Sequence, residues 1–383
     1  MRLCIATSSY PSQGENSFAG VFVRDFAKAL ARRGIEVSIF TQDTGREPIK
    51  DDGIKFITFS WPGKATPLSS LRPYRPYDLL NMFLLLYRGS KKLIAYCQKE
   101  KVDFLFAMWA APAGYWGMKV RKRLGLPYAV WSLGSDIWTY GRLPIFKHWV
   151  RRILKQSSFC FGDGFSLVEE VRILSGRSCS FLPTTRRLPR EDLPEVSFDP
   201  QKSHYLFIGR YHPNKGPDIL LEAIRLIDRE TLSKIQFHFF GTGPLEGDLK
   251  RSVSQYGLKD EVTIEGPVDE YTMTALLIKC HTLIIPSRVE SIPVVLSDAL
   301  QVGCDVIVSN VGDMGPLVRS YQAGIVVDEL SPEAFKDAIL SQLKRKKDEF
   351  QEGRQKLYTL FNLEKSVDTF LKSLEIRDEK GHF

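Results

Sequence analysis

Residues 286–316 read PSRVESIPVVLSDALQVGCDVIVSNVGDMGP, and the fold is decided by how this stretch is parsed. The apolar run Thr282-Leu283-Ile284-Ile285 leads into it and predicts a buried strand that stops at Pro286. A polar turn follows, Ser287 to Ile292. Pro293 suits the first turn of a helix, where a missing N–H costs little. That helix is expected through Val294–Leu300, ending near Gly303, and a second strand is expected over Asp305–Ser309. Strand, helix and strand in this order describe one parallel unit of an α/β sheet. Glu290 then falls in the loop at a strand's C-terminal edge, and Asp298 falls on the following helix. First-turn amides near Ser291 and Ile292 would face the same crevice, where open α/β sheets bind ligands. Free amides and the helix dipole there favour a phosphate.

At 383 residues the chain has room for two domains of ordinary size, and 43% hydrophobic with 26% charged residues is a globular composition. No apolar run reaches the eighteen or so residues of a membrane-spanning helix. The opening Met1–Thr7 reads as a first strand and not as a signal peptide. The six cysteines, at 4, 97, 160, 179, 280 and 304, form no C-x2-C pair, so spacing suggests no zinc site. Buried thiols in a reducing cytosol are expected. The net charge of +8 is unevenly spread. Residues 1–190 hold 30 Lys+Arg against 14 Asp+Glu, net +16, and the remainder hold 23 against 31, net −8. A basic half of this kind suits an anionic partner: a membrane surface, a lipid phosphate or an acidic polymer. A nucleic-acid partner is not expected.

The first half repeats the parallel unit. A strand over Arg2–Thr7, a helix from about Phe18 to Gly34 and a strand over Ile35–Phe40 form a βαβ unit without a G-x-G-x-x-G fingerprint. Residues 61–92 interleave aromatic, aliphatic and basic side chains. The pattern fits an amphipathic membrane-surface element, and it equally fits a half-buried helix with a solvated basic face. Further strands are expected at 102–107, 127–132 and 158–162. Helices are expected at 110–124, 146–156 and 166–174, the last with Ser166 and Glu169 as a capping box. Leu188 to Ser203, with three prolines and no periodicity, reads as a linker. Beyond it a strand ends in Gly209-Arg210-Tyr211-His212-Pro213-Asn214-Lys215-Gly216, and a helix follows from about Pro217 to Ile227. A strand over 236–240 leads to Gly241-Thr242-Gly243-Pro244, and another over 262–265 leads to Gly266-Pro267-Val268. The last strand is expected at 324–327, with helices at 332–347 and 363–376.

Glu290-x7-Asp298 with Pro293 between, G-R-x4-K-G at 209–216, G-x-G-P at 241–244 and FAGVFVRDFAKALARRGIEV at 18–37 together resemble the retaining glycosyltransferases of family 4. That resemblance covers nearly the whole chain. It implies the α/β GT-B fold, two Rossmann-like doubly wound domains facing a cleft. Residues 1–187 would be an N-terminal acceptor-binding domain and 188–203 a linker. Residues 204–360 would be the C-terminal donor-binding domain, and 361–383 a final helix crossing back to the first. It further implies transfer of a sugar, with retained configuration, from a nucleoside-diphosphate sugar to a glycan or lipid-linked acceptor, with no cofactor and no metal.

By the same resemblance, Arg210 and Lys215 would hold the diphosphate, two fixed cations stabilising charge that grows on the leaving oxygen. Glu290 would bind hydroxyls of the donor sugar, and amides at Ser291 and Ile292, ahead of Pro293, would touch the phosphate. Asp298 would reach the ribose, although Asp in place of the usual Glu shortens its reach by about 1.5 Å. Gly20, Gly209, Gly241 and Gly243 would line the donor site, and Pro267 and Val268 would hold the base through the backbone. Asp136, in the Gly134-Ser135-Asp136 remnant of a His-Gly-Ser-Asp motif where Leu133 replaces the His, would join the donor-binding residues, and it equally reads as a turn or N-cap residue. Thr184-Thr185-Arg186-Arg187 replaces the usual Asn-Gly-Val. These departures leave room for a non-catalytic nucleotide-sugar-binding protein or a GT-B epimerase.

Overall fold

The computed structural model describes residues 1–13, 20–64, 66, 68–72, 74–134, 136–140, 144–346 and 348–378. Phe18, Ser135 and Lys347, which figure in the sequence reading, lie outside this set. The chain divides into two compact units, Met1–Pro183 with Leu363–Phe383, and Thr184–Asn362.

The first unit is built on seven parallel strands: β1 (Arg2–Ala6), β2 (Glu36–Gln42), β3 (Lys55–Phe59), β4 (Phe104–Met108), β5 (Tyr128–Ser132), β6 (Phe159–Gly162) and β7 (Cys179–Phe181). Their order is β3-β2-β1-β4-β5-β6-β7. Alternate residues of one strand enter different cores, as the two-residue period of a strand requires. Leu3 and Ile5 face one side with Phe26, Phe106, Trp131 and Phe161. Cys4 and Ala6 face the other with Phe40, Leu105 and Trp116. The terminal helix Leu363–Asp378 closes the first of these cores with Leu363, Val367 and Phe370, so the end of the chain is part of the unit that holds its beginning.

The second unit has six parallel strands: β8 (Ser203–Ile208), β9 (Ile235–Phe240), β10 (Val262–Glu265), β11 (Thr282–Ile285), β12 (Asp305–Ser309) and β13 (Ile325–Val327). Their order, β10-β9-β8-β11-β12-β13, repeats that of the first unit, and both are the doubly wound order with a switch between the first and fourth strands. Tyr205, Phe207, Phe237, Phe239 and Ile284 pack here against helices Pro217–Arg225, Glu246–Gln255 and Pro332–Leu343.

Several local expectations differ from this structure. The helix Phe165–Ser175 is capped at Gly164, so Ser166 lies within it, and Glu169 pairs with Arg172 instead of closing a capping box. The stretch 188–203 packs on the second unit: Leu188 is buried, its N–H donates to Gln301 Oε1 at 3.1 Å, and Arg190 donates to the Gln301 carbonyl at 2.7 Å. The unit boundary accordingly falls at Pro183. Strand β3 and helices Met314–Ser320 and Gln351–Tyr358 have no counterpart in the sequence reading.

Candidate functional site

In the second unit the strand order switches between β8 and β11, and the loops leaving these two strands carry the candidate residues. The loop after β8 starts at Gly209-Arg210 and tightens into a turn over Pro213–Lys215, capped by His212, whose Nδ1 accepts from the Asn214 N–H at 3.2 Å. Gly216 ends that turn at φ +69 and starts the helix Pro217–Arg225. A Cβ at Gly216 would collide with the Pro286 carbonyl, so only glycine permits the β8 and β11 loops to approach this closely.

Backbone and side chains bind the two loops together. The Arg288 and Val289 N–H groups donate to the Asn214 carbonyl at 2.8 and 3.3 Å. The Arg288 guanidinium forks onto Asp218 at 2.8 and 2.6 Å. Lys215 Nζ forms an ion pair with Glu290 Oε2 across the same gap, with the two side chains 24% and 17% exposed. Arg210 is exposed and forms no ion pair among the described residues. Among the described residues, the loop after β8 therefore carries an unpaired guanidinium, Arg210, and a lysine, Lys215, paired with Glu290. Lys215 and Glu290 both keep some contact with solvent, so this pair costs less to separate than a fully buried one.

Ser291 and Ile292 are buried in the loop ahead of the helix. The helix runs Val294–Val302 as expected, and Pro293, at ψ 138, is its N-cap instead of lying in its first turn. The first-turn amides are thus those of Val294 and its successors, with the Leu296 N–H already donating to the Pro293 carbonyl at 3.0 Å. The Ser291 hydroxyl, next to Glu290 in the chain, is buried and has no hydrogen-bond partner among the described residues. The loop is backed by Gly312, at φ +54, where a Cβ would meet the Glu290 carbonyl. Gly241 and Gly243 follow β9 and bring that loop under Tyr211, whose N–H donates to the Thr242 carbonyl at 2.9 Å. Pro267 and Val268 follow β10 at the same edge of the sheet.

Asp298 does not reach this crevice. It is fully buried, and the Arg186 guanidinium donates to both of its oxygens at 2.9 and 2.5 Å. Burial pushes the Asp298 carboxyl up from its ordinary value, and Arg186 opposes that shift. The expected ribose contact is corrected on this geometry, because both oxygens are already occupied by a buried cation. No signal in the sequence pairs residues so far apart.

Gly20 and Asp136 belong to the first unit. Gly20 follows the β1 loop at φ +79 and begins the helix Val21–Arg32. Asp136 is 1% exposed, and its two oxygens accept from the backbone N–H groups of Ala110 at 2.8 Å and Leu133 at 3.2 Å. Burial raises its carboxyl, and the backbone donors pull the other way. Asp136 is thus a tie between the loops after β4 and β5, and the expectation of an open ligand is corrected. No cluster of three or more His, Cys, Asp or Glu able to hold a metal occurs among the described residues.

Two family profiles match the chain: "Glycosyl transferases group 1" over residues 190–357 and "Glycosyltransferase Family 4" over residues 19–165. D-inositol 3-phosphate glycosyltransferase of Paenarthrobacter aurescens (strain TC1) is 24% identical over 362 residues, covering 86% of this chain and 85% of that protein. The protein of the same name from Rhodococcus opacus (strain B4) is 31% identical over 153 residues, 38% of this chain and 34% of that one. Among solved structures, sucrose-phosphate synthase of Thermosynechococcus elongatus superposes with a TM-score of 0.74 at 19% identity, over 100% of both chains. HepE of Anabaena, in complex with UDP and glucose, gives 0.72 at 13% identity, over 98% of this chain and 99% of that one. At these identities the structural likeness speaks to the fold.

Proposed function

We propose, from the premise that this chain belongs to the family 4 glycosyltransferases with the GT-B fold, that it transfers a sugar from a nucleoside-diphosphate donor to a glycan or lipid-linked acceptor. Transfer proceeds with retained configuration and without a metal. The observation that carries this reading is the Lys215–Glu290 ion pair across the loops of β8 and β11, with Arg210 exposed on the same loop as Lys215.

With the donor bound, its diphosphate takes Lys215 and Arg210, and Glu290 is released to accept from hydroxyls of the sugar. The bond from the anomeric carbon to the phosphate oxygen breaks, and its electron pair stays with the phosphate. Both cations stabilise that charge, and their effect is larger in the transition state than in the ground state. The acceptor hydroxyl adds to the same face of the sugar, and its proton passes to the departing phosphate.

The test is a panel of nucleoside-diphosphate sugars and acceptors scored by released nucleoside diphosphate, with the anomeric configuration of the product read by NMR. Lys215→Ala should lower kcat about 10²–10³-fold, far more than it weakens donor binding. Arg210→Lys keeps the charge, loses the bidentate fork and should be partly active. A chelator should leave the rate unchanged. Parent-like turnover by folded Lys215→Ala would overturn the phosphate assignment, and binding or isomerisation without transfer would overturn the reaction.

A further inference from the structure

The helix Pro76–Glu100 has two apolar faces, and the body of the first unit uses one of them. Asn81, Leu85, Gly89, Leu93 and Cys97 recur every four residues and are buried. A Cβ at Gly89 would lie 2.6 Å from the Trp116 ring, so the helix is seated closely on the neighbouring helix Tyr115–Leu124. On the opposite side Leu79, Leu80, Phe83 and Tyr87 are 53–60% exposed. Tyr77, at the N-terminal end, is 68% exposed. Phe83 and Tyr87 stack in parallel, ring centroids 6.1 Å apart, and nothing among the described residues covers them. Single exposed apolar side chains are ordinary, but a contiguous set of this size on one helix face marks a docking surface.

The charge around the patch selects the partner. From Leu68 to Lys99 the sequence holds six Lys or Arg and one acid, Asp78, whose carboxylate accepts from the Arg72 N–H. Arg88, Lys91 and Lys92 continue the exposed side of the helix beyond Tyr87. No described helix is long and apolar enough to cross a membrane. At 25 residues Pro76–Glu100 is about 37 Å long, enough to lay several lipid headgroups beside one face.

We propose that the exposed face of Pro76–Glu100 docks the first unit onto an anionic lipid surface. Leu80, Phe83 and Tyr87 enter the boundary between headgroups and acyl chains, and Arg88, Lys91 and Lys92 meet the lipid phosphates. This surface lies wholly within the first unit and does not depend on the donor chemistry.

The experiment is co-sedimentation of the full chain with vesicles of phosphatidylcholine alone and of phosphatidylcholine with 30% phosphatidylglycerol, without nucleotide. The parent is expected to bind the anionic vesicles, to leave them as salt rises and to bind neutral ones at least tenfold more weakly. Leu80→Ser/Phe83→Ser should lose at least tenfold in apparent affinity at unchanged circular dichroism and melting temperature. Lys91→Glu/Lys92→Glu should lose anionic selectivity. Parent-like vesicle binding by Leu80→Ser/Phe83→Ser would overturn the proposal, as would no binding by the parent. A parent dimer that Leu80→Ser/Phe83→Ser converts to monomer would assign the face to a second copy of this chain, which also overturns it.

Discussion

Arg186 and Asp298 bury two opposite charges against each other, 9% and 0% exposed, and the low dielectric around them sets what separation costs. Removing one partner leaves the other charged and unsolvated. Asp298→Ala should therefore destabilise the second unit by about 3–5 kcal/mol, read from urea unfolding. The double variant Arg186→Met/Asp298→Leu should recover most of that loss, because an apolar pair carries no stranded charge. Equal losses in the single and double variants would show that the pair is not what holds this site. Lys215–Glu290 has the same chemistry with side chains 24% and 17% exposed, so separating it costs less than separating Arg186 from Asp298. The sequence placed Glu290 and Lys215 in loops after strands, because apolar runs ending at Ile285 and Ile208 precede them; their roles came only from the family resemblance. The occupation of Asp298 was not legible, since its partner lies in the Thr184–Arg187 segment that departs from the family pattern.

At the scale of the element, the helix Leu363–Asp378 shows how much one ring can anchor. Phe370 is fully buried among Phe26, Phe104, Phe106 and Phe161, with its ring centroid 4.3 Å from that of Phe106. Outside that core, Arg33 pairs with both Glu364 and Asp368 on exposed surface, which adds little. Phe370→Ala should cost about 3–5 kcal/mol in the first unit, whereas Glu364→Ala should fall within about 0.5 kcal/mol of the parent. Thermal unfolding of the two variants checks this, and similar midpoints would mean that the helix is held by its charges. Strands and helix ends were the legible elements: the helix Val294–Val302 stops at Gly303, at φ +78, as a C-terminal glycine predicts. Met314–Ser320 is helical although it contains Gly315 and Pro316. Pro316 falls in the first turn, where its lack of an N–H is harmless, so the helix forms all the same.

Across the whole molecule the two units carry opposite net charge: Met1–Pro183 with Leu363–Phe383 holds 31 Lys+Arg against 19 Asp+Glu, net +12, and Thr184–Asn362 holds 22 against 26, net −4. If the second unit alone holds the nucleotide, a nucleoside diphosphate at about 100 times its Kd should stabilise that unit by about 2.7 kcal/mol. Calorimetry should show the shift in the parent and its reduction in Lys215→Ala, and an undiminished shift in the variant would put the nucleotide at another site. The sequence by itself determined the parallel α/β class, the two-unit plan and the polar residues at the strand ends. Those follow from local order: an apolar run, a polar turn and an amphipathic helix allow few topologies, and in each the turn lies at the sheet's C-terminal edge. Only the tertiary structure decided that Arg186 closes on Asp298, that the Sγ atoms of Cys280 and Cys304 lie 3.2 Å apart, and which face of Pro76–Glu100 stays uncovered. These depend on which distant segments pack together, and the period of side chains along one element holds no record of its neighbour.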